Sequence, residues 1–308
     1  MKQTFRHYGS VVVLLACILA LSVGVTALLG GFSRVTEKKS GKTVLATTYP
    51  LYVAAQRIIG DDDTIALTRL DGAASGCLHD YQMSPSDRRA SQEADLILMN
   101  GAGAESFLHG MVDEAKCVDT SATVDLICSS HDHDHGEGDH YHHEEYNEHV
   151  WLSPRCYMAQ VEAVRDALCA IDPEMSHVYF ANAADYIIEI IAIRQEMETL
   201  AASLKDRPCV LFHDSMAYLA ADLGLDVRLT LSVEGESGLS ASDLGQVEAL
   251  AAQHPDLLLF YDTQYALRYD GVAGTPISIR TAVQEDWLTA MEENLKILKQ
   301  IARGGDAK

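Results

Sequence analysis

One apolar stripe constrains this 308-residue chain more than any other feature. Tyr179, Asn182, Tyr186, Ile190, Ile193, Met197, Leu200 and Leu204 recur at three- and four-residue steps, and Asp172-Pro173 upstream supplies a start signal. Side chains so spaced share one face of a helix. A helix over 172–204 would be a rod of about 48 Å at about 1.5 Å per residue, longer than one small lobe is wide. Such an element suits a rigid spine between two halves better than a helix inside one of them. The alternative is two helices with a break between them.

Both flanks of the stripe have the same rhythm. Before it, apolar and β-branched runs predict strands at 44–49, 64–70, 95–100 and 117–119, with helices opened by Pro50, Pro85 and Pro154. After it, strands are expected at 209–212, 226–233, 256–261 and 276–279, with helices over 215–223, 242–253 and 285–302. Strand, helix, strand at this pace predicts an α/β chain of two lobes, each a mainly parallel sheet flanked by helices, joined by one long rigid helix. The expected division is 1–40 as an N-terminal membrane or signal segment with tether, 41–171 as the first lobe with a His-rich loop at 129–146, 172–204 as the linking helix, and 205–308 as the second lobe.

Lys2 and Arg6 precede an almost unbroken apolar run over 11–29. That is about the length of a bilayer-crossing helix, and the basic residues before it put the amino terminus inside and the body outside the membrane. Leu14-Leu15-Ala16-Cys17 also reads as a lipoprotein processing site, so an uncleaved anchor, a long signal and lipidation at Cys17 remain open. The net charge of −22 argues against nucleic acid and favours attraction of cations. Six cysteines follow the apolar run with no CxxC pair among them, which excludes a zinc ribbon or a thioredoxin-like site and leaves disulfide pairing open.

Six of the 13 histidines, His131, His133, His135, His140, His142 and His143, alternate with carboxylates, and no Lys or Arg occurs from Cys117 to Pro154. Near neutral pH the tract is imidazole set among anions, an environment that collects divalent cations, or else a solvated acidic segment or proton buffer. Gly136, Gly138 and the lack of apolar residues leave nothing to fix a tight geometry. At His149 the composition turns apolar with Val150, Trp151 and Leu152, so this imidazole is expected to be held by packed structure. His79 lies in the loop after the second strand, and His213 follows a strand and opens a helix. In open α/β sheets ligands bind beyond the carboxyl ends of strands, which would set His79, His149 and His213 around an interlobe groove. Each could equally be a cap or a surface residue. Asp80, Glu148 and Asp214 adjoin them and could orient the rings, which favours zinc.

These segments together resemble the metal-binding solute-binding proteins of bacterial ABC transporters that deliver zinc or manganese, specifically the high-affinity zinc-uptake type. The resemblance rests on Thr47-Thr48-Tyr49-Pro50-Leu51, on His79-Asp80-Tyr81 with Ser84-Pro85-Ser86-Asp87, and on Ala94-Asp95-Leu96 running to Asn100-Gly101. It continues through Glu148-His149-Val150-Trp151-Leu152-Ser153-Pro154 and Phe212-His213-Asp214 with Tyr218 and Gly224. It implies that His79, His149 and His213 are metal ligands, that the site lies in the groove, and that the His-rich tract is a loop typical of zinc members. Manganese-type members carry a carboxylate where His213 stands. The acid that many members place near the last strand is missing from Ile277-Ser278-Ile279-Arg280-Thr281-Ala282. The fourth position is therefore water, Asp262 or Glu236; Cys77 could be a softer fourth ligand but reads better as a small buried thiol.

The function implied is extracytoplasmic capture of Zn2+ as cargo and its delivery to a membrane permease. The chain would be a monomer tethered to the cytoplasmic membrane, with no nucleic-acid partner and no catalysis. The alternatives are a membrane-anchored zinc hydrolase, against which stands the absence of HExxH, and a manganese-binding or adhesin-type protein on the same scaffold.

Overall fold

The computed structural model describes residues 41–70, 78, 81–129, 146–233, 239–263 and 272–304, and Lys42–Lys308 forms one compact unit. The first lobe is built from β1 (Lys42–Ala46), α1 (Tyr49–Ile59), β2 (Ile65–Arg69), α2 (Pro85–Glu93), β3 (Leu96–Met99), β4 (Cys117–Asp119) and α3 (Pro154–Ile171). The spine is α4 (Ser176–Leu204). The second lobe follows with β5 (Pro208–Leu211), α5 (Ala217–Asp222), β6 (Asp226–Thr230), α6 (Ala241–Gln253), β7 (Leu258–Asp262), β8 (Thr275–Ile279) and α7 (Trp287–Ala302).

Local chemistry accounts for the boundaries. Pro50 sits in the first turn of α1, where a missing N–H costs nothing, and Gly60 ends that helix at φ +61, a conformation that suits glycine. Ser84 and Asp87 close a capping box at the start of α2. Ser153 accepts from Cys156 N–H to cap α3, again with proline in the first turn.

The described strand pairings are all parallel, with orders β2-β1-β3-β4 and β6-β5-β7-β8. Each sheet therefore reverses direction at one place, between β1 and β3 in the first lobe and between β5 and β7 in the second. A crevice opens beyond the carboxyl ends of strands at such a point.

The helix α4 runs unbroken for 29 residues, about 44 Å, after a short 3-10 turn at Pro173–Met175. Its buried face is Tyr179, Ala183, Tyr186, Ile190, Ile193, Met197, Leu200 and Leu204. Ala183 takes the place expected for Asn182, whose Nδ2 instead caps the Ile58 carbonyl at 2.9 Å. The spine packs against α1 and α3 of the first lobe and α7 of the second, and one apolar core runs continuously from Val44 to Ile301. Among the described residues no helix is long and apolar enough to cross a membrane. The apolar run at 11–29 lies outside them.

Candidate metal site

In the second lobe the β5 ladder continues one step past its end, where Phe212 N–H donates to Phe260 O at 2.9 Å. Leu211 pairs with Phe260, so His213 and Asp262, each two residues further along, stand level at the reversal point of this sheet. His213 is extended (φ −150°, ψ 145°), and its Nδ1 accepts from Ser215 N–H at 3.0 Å, capping the turn at Asp214–Met216. Asp214 Oδ1 lies 3.3 Å from the same Nδ1. That nitrogen thus faces a donor on one side and an acceptor on the other, and either neutral tautomer of His213 satisfies one of them.

Asp262 is buried, and its carboxylate accepts from the Thr281 hydroxyl and, at 3.4 Å, from Thr263 Oγ1. The Thr281 carbonyl in turn accepts from the Trp151 indole at 3.0 Å. A contact between lobes thereby begins two residues from His149.

In the first lobe the reversal point is filled by Glu105, which is buried. Its carboxylate accepts from Thr47 Oγ1 at 2.6 Å, from Asn100 N–H at 2.7 Å and from Gly101 N–H at 3.1 Å. Burial pushes this carboxyl up to about 7 against those hydrogen bonds, with the nearby Glu148 adding to the rise. Asn100 Nδ2 then donates to Glu148 O at 2.8 Å. His149 follows at the start of the 3-10 turn Val150–Leu152, whose three side chains are fully packed.

The two histidines meet. The rings of His149 and His213 lie with centroids 5.6 Å apart at 85°, and both residues are buried, at 1% and 9% exposure. Leu78, also buried, donates its N–H to Glu148 Oε1 at 3.0 Å, so the residue before His79 sits beside the residue before His149. His79 itself, Glu236, Cys77 and the six histidines of the tract lie outside the described residues. Among the described residues no three His, Cys, Asp or Glu side chains converge as a metal-holding group. Among the described residues five cysteines, Cys117, Cys128, Cys156, Cys169 and Cys209, carry free thiols.

The orienting partner of His149 differs from the sequence expectation. Glu148 directs Oε1 at Leu78, and it is Asn147 whose Oδ1 lies 3.1 Å from His149 Nδ1 and accepts from His149 N–H at 2.9 Å. The available signal was an Asn two residues before the candidate ligand, the spacing at which its side chain reaches the backbone of residue i+2. A carboxylate directly adjacent to the histidine was the more conspicuous feature.

Two imidazoles from different lobes, both shielded from bulk water and set edge to face, offer nitrogen donors suited to a borderline-soft divalent ion. The comparisons agree with this chemistry. The chain is 27% identical over 290 residues to a zinc-binding lipoprotein, AdcA, of Streptococcus pneumoniae, the match covering 86% of this chain and 56% of that protein. It therefore spans about half the length of the curated relatives it matches. A putative metal-binding protein of Chlamydia trachomatis is 24% identical over 237 residues, covering 77% of this chain and 80% of that one. Among solved structures, the zinc-bound AdcA of Streptococcus pneumoniae superposes with a TM-score of 0.68 at 22% identity, over 86% of this chain and 59% of that one. The metal-dependent lipoprotein YcdH of Bacillus subtilis gives 0.66 at 20% identity, over 84% and 98%. At those identities the structures establish the two-lobe fold. The family described as zinc-uptake complex component A, periplasmic, matches residues 44–301, nearly the whole described chain, and this protein belongs to that family.

Proposed function

We propose that this protein captures Zn2+ between its lobes and delivers it to the permease of an ABC transporter. The observation that carries the reading is the meeting of His149 and His213 across the groove. His79, next to a residue already hydrogen-bonded beside His149, would be the third nitrogen ligand, and water, Asp262 or Glu236 would take the fourth position. The ligands come from halves joined by a single spine, an arrangement that can open to release an ion. A catalyst would need them rigid. We therefore read the chain as a carrier and not an enzyme.

The relatives named as lipoproteins or periplasmic components support an extracytoplasmic location, and the segment 1–40 would tether the chain to the membrane. We place the lobes at 41–171 and 205–308, with 172–204 as the link, and read the protein as a monomer. The tract at 131–143 would gather zinc weakly and raise its concentration near the groove. The test is elemental analysis of protein purified without chelator, repeated on the triple variant His79→Ala, His149→Ala, His213→Ala. After dialysis to remove weakly held ions, about one zinc per chain is expected in the wild type and none in the variant. Equal zinc in both would overturn the assignment of ligands, and no zinc in either would overturn the function. Imidazole must be unprotonated to bind, so calorimetric affinity should be weaker at about pH 5.5 than at about pH 7.5.

A further inference from the structure

The segment Asn147-Glu148-His149 is the strip where the two lobes touch around the candidate ligands. The first lobe holds it through Asn100 Nδ2 on Glu148 O at 2.8 Å. The second lobe holds it through Tyr218 Oη on Asn147 O at 2.9 Å, and through Asn147 Nδ2 on Asp214 O at 2.7 Å. Asn147 is buried, at 2% exposure, and its amide orientation follows from backbone chemistry alone. A main-chain N–H can only donate, so the side-chain atom facing His149 N is the oxygen. A main-chain carbonyl can only accept, so the atom facing Asp214 O is the nitrogen.

The same oxygen stands 3.1 Å from His149 Nδ1. An acceptor there requires that Nδ1 carry the proton, which leaves Nε2 as the lone-pair nitrogen. We propose that Asn147 is the positioning residue that sets His149 in its metal-accepting tautomer and, through its other amide atom, links that ring to the backbone beside His213. At His213 the same atom, Nδ1, lies between the Ser215 N–H and Asp214 Oδ1. Asn147 thus sets the tautomer of His149 before an ion arrives. The proposal rests on the zinc reading for its consequence, but the tautomer itself is a property of the metal-free protein.

The experiment compares wild type, Asn147→Ala and Asn147→Asp by imidazole nitrogen NMR of the metal-free proteins above the histidine titration range, with zinc affinity measured by competition against a chelating dye. His149 is expected to be the Nδ1–H tautomer in wild type and a mixture in Asn147→Ala, with affinity falling by about 10- to 100-fold, the size of effect typical of an outer partner. Asn147→Asp keeps the acceptor oxygen and is expected to restore the Nδ1–H tautomer and part of the affinity. An Asn147→Ala variant with wild-type tautomer and affinity would overturn the proposal. If that variant does not fold, His149 in the Nε2–H form in Asn147→Asp would overturn it equally. A wild type that binds no zinc tightly sinks the transport reading instead, while the tautomer measurement still judges Asn147.

Discussion

The imidazole of His149 meets that of His213 edge to face with ring centroids 5.6 Å apart, although one belongs to the strip leading into α3 and the other to the end of β5. Loss of either ring should remove a ligand outright. His149→Ala and His213→Ala are each expected to weaken zinc binding beyond the about 10- to 100-fold typical of outer partners. His213→Ala should also lose the cap on Ser215 N–H, about 1 kcal/mol of stability. Dye competition reads the first effect and denaturant titration the second. Unchanged affinity in either variant would show that the rings do not share an ion.

The stems of the His-rich tract lie side by side, since Cys128 pairs with Tyr146 and Asn147 N–H donates to Ile127 O at 2.8 Å. Replacing residues 130–145 by a short glycine linker is therefore expected to leave His149 in place. The expected result is one tight site retained and fewer weakly held ions, counted by equilibrium dialysis. Loss of the tight site would contradict the separation of collector from site.

Glu105 should make stability depend on pH. Its folded carboxyl titrates at about 7 against an ordinary 4.5, so between those values the folded chain keeps a proton that the unfolded chain has lost. The raised value means that stability declines as pH climbs through this window, by about 3 kcal/mol from this one group. Urea midpoints at about pH 5 and about pH 8 measure the slope, and Glu105→Gln should flatten it. An equal slope in the variant would assign the effect elsewhere.

Trp151 couples the lobes through its indole N–H on Thr281 O, while its own carbonyl accepts the Trp287 indole at 2.8 Å. Trp287 is stacked on Tyr157 with centroids 4.4 Å apart. Trp151→Phe keeps most of the apolar volume but strands a carbonyl, so a loss of about 1–3 kcal/mol is expected in chemical denaturation. A change below about 0.5 kcal/mol would mean that this contact does not hold the lobes.

The stripe on α4 and the proline starts of α1, α2 and α3 were legible because each depends on neighbours within one or two turns. The strand-helix alternation was legible for the same reason. His149 and His213 were also nameable from their contexts at element ends. Their separation was not, nor was the choice of Asn147 over Glu148 as the partner of His149 Nδ1. Adjacent residues in an irregular strip point different ways, and which one meets the ring depends on backbone angles imposed from outside the strip by Asn100, Tyr218 and Asp214.

By itself the sequence determined the elements, their order and the residue types able to bind a cation, since periodicity, capping and donor chemistry are local properties. Only the tertiary structure decided that the two sheets reverse at matching places, that Glu105 is buried in one crevice while His213 and Asp262 stand level at the other, and that Asn147 joins the lobes beside His149. Those facts depend on contacts between residues far apart in the chain, whose closure is set by the packing of the whole core around α4.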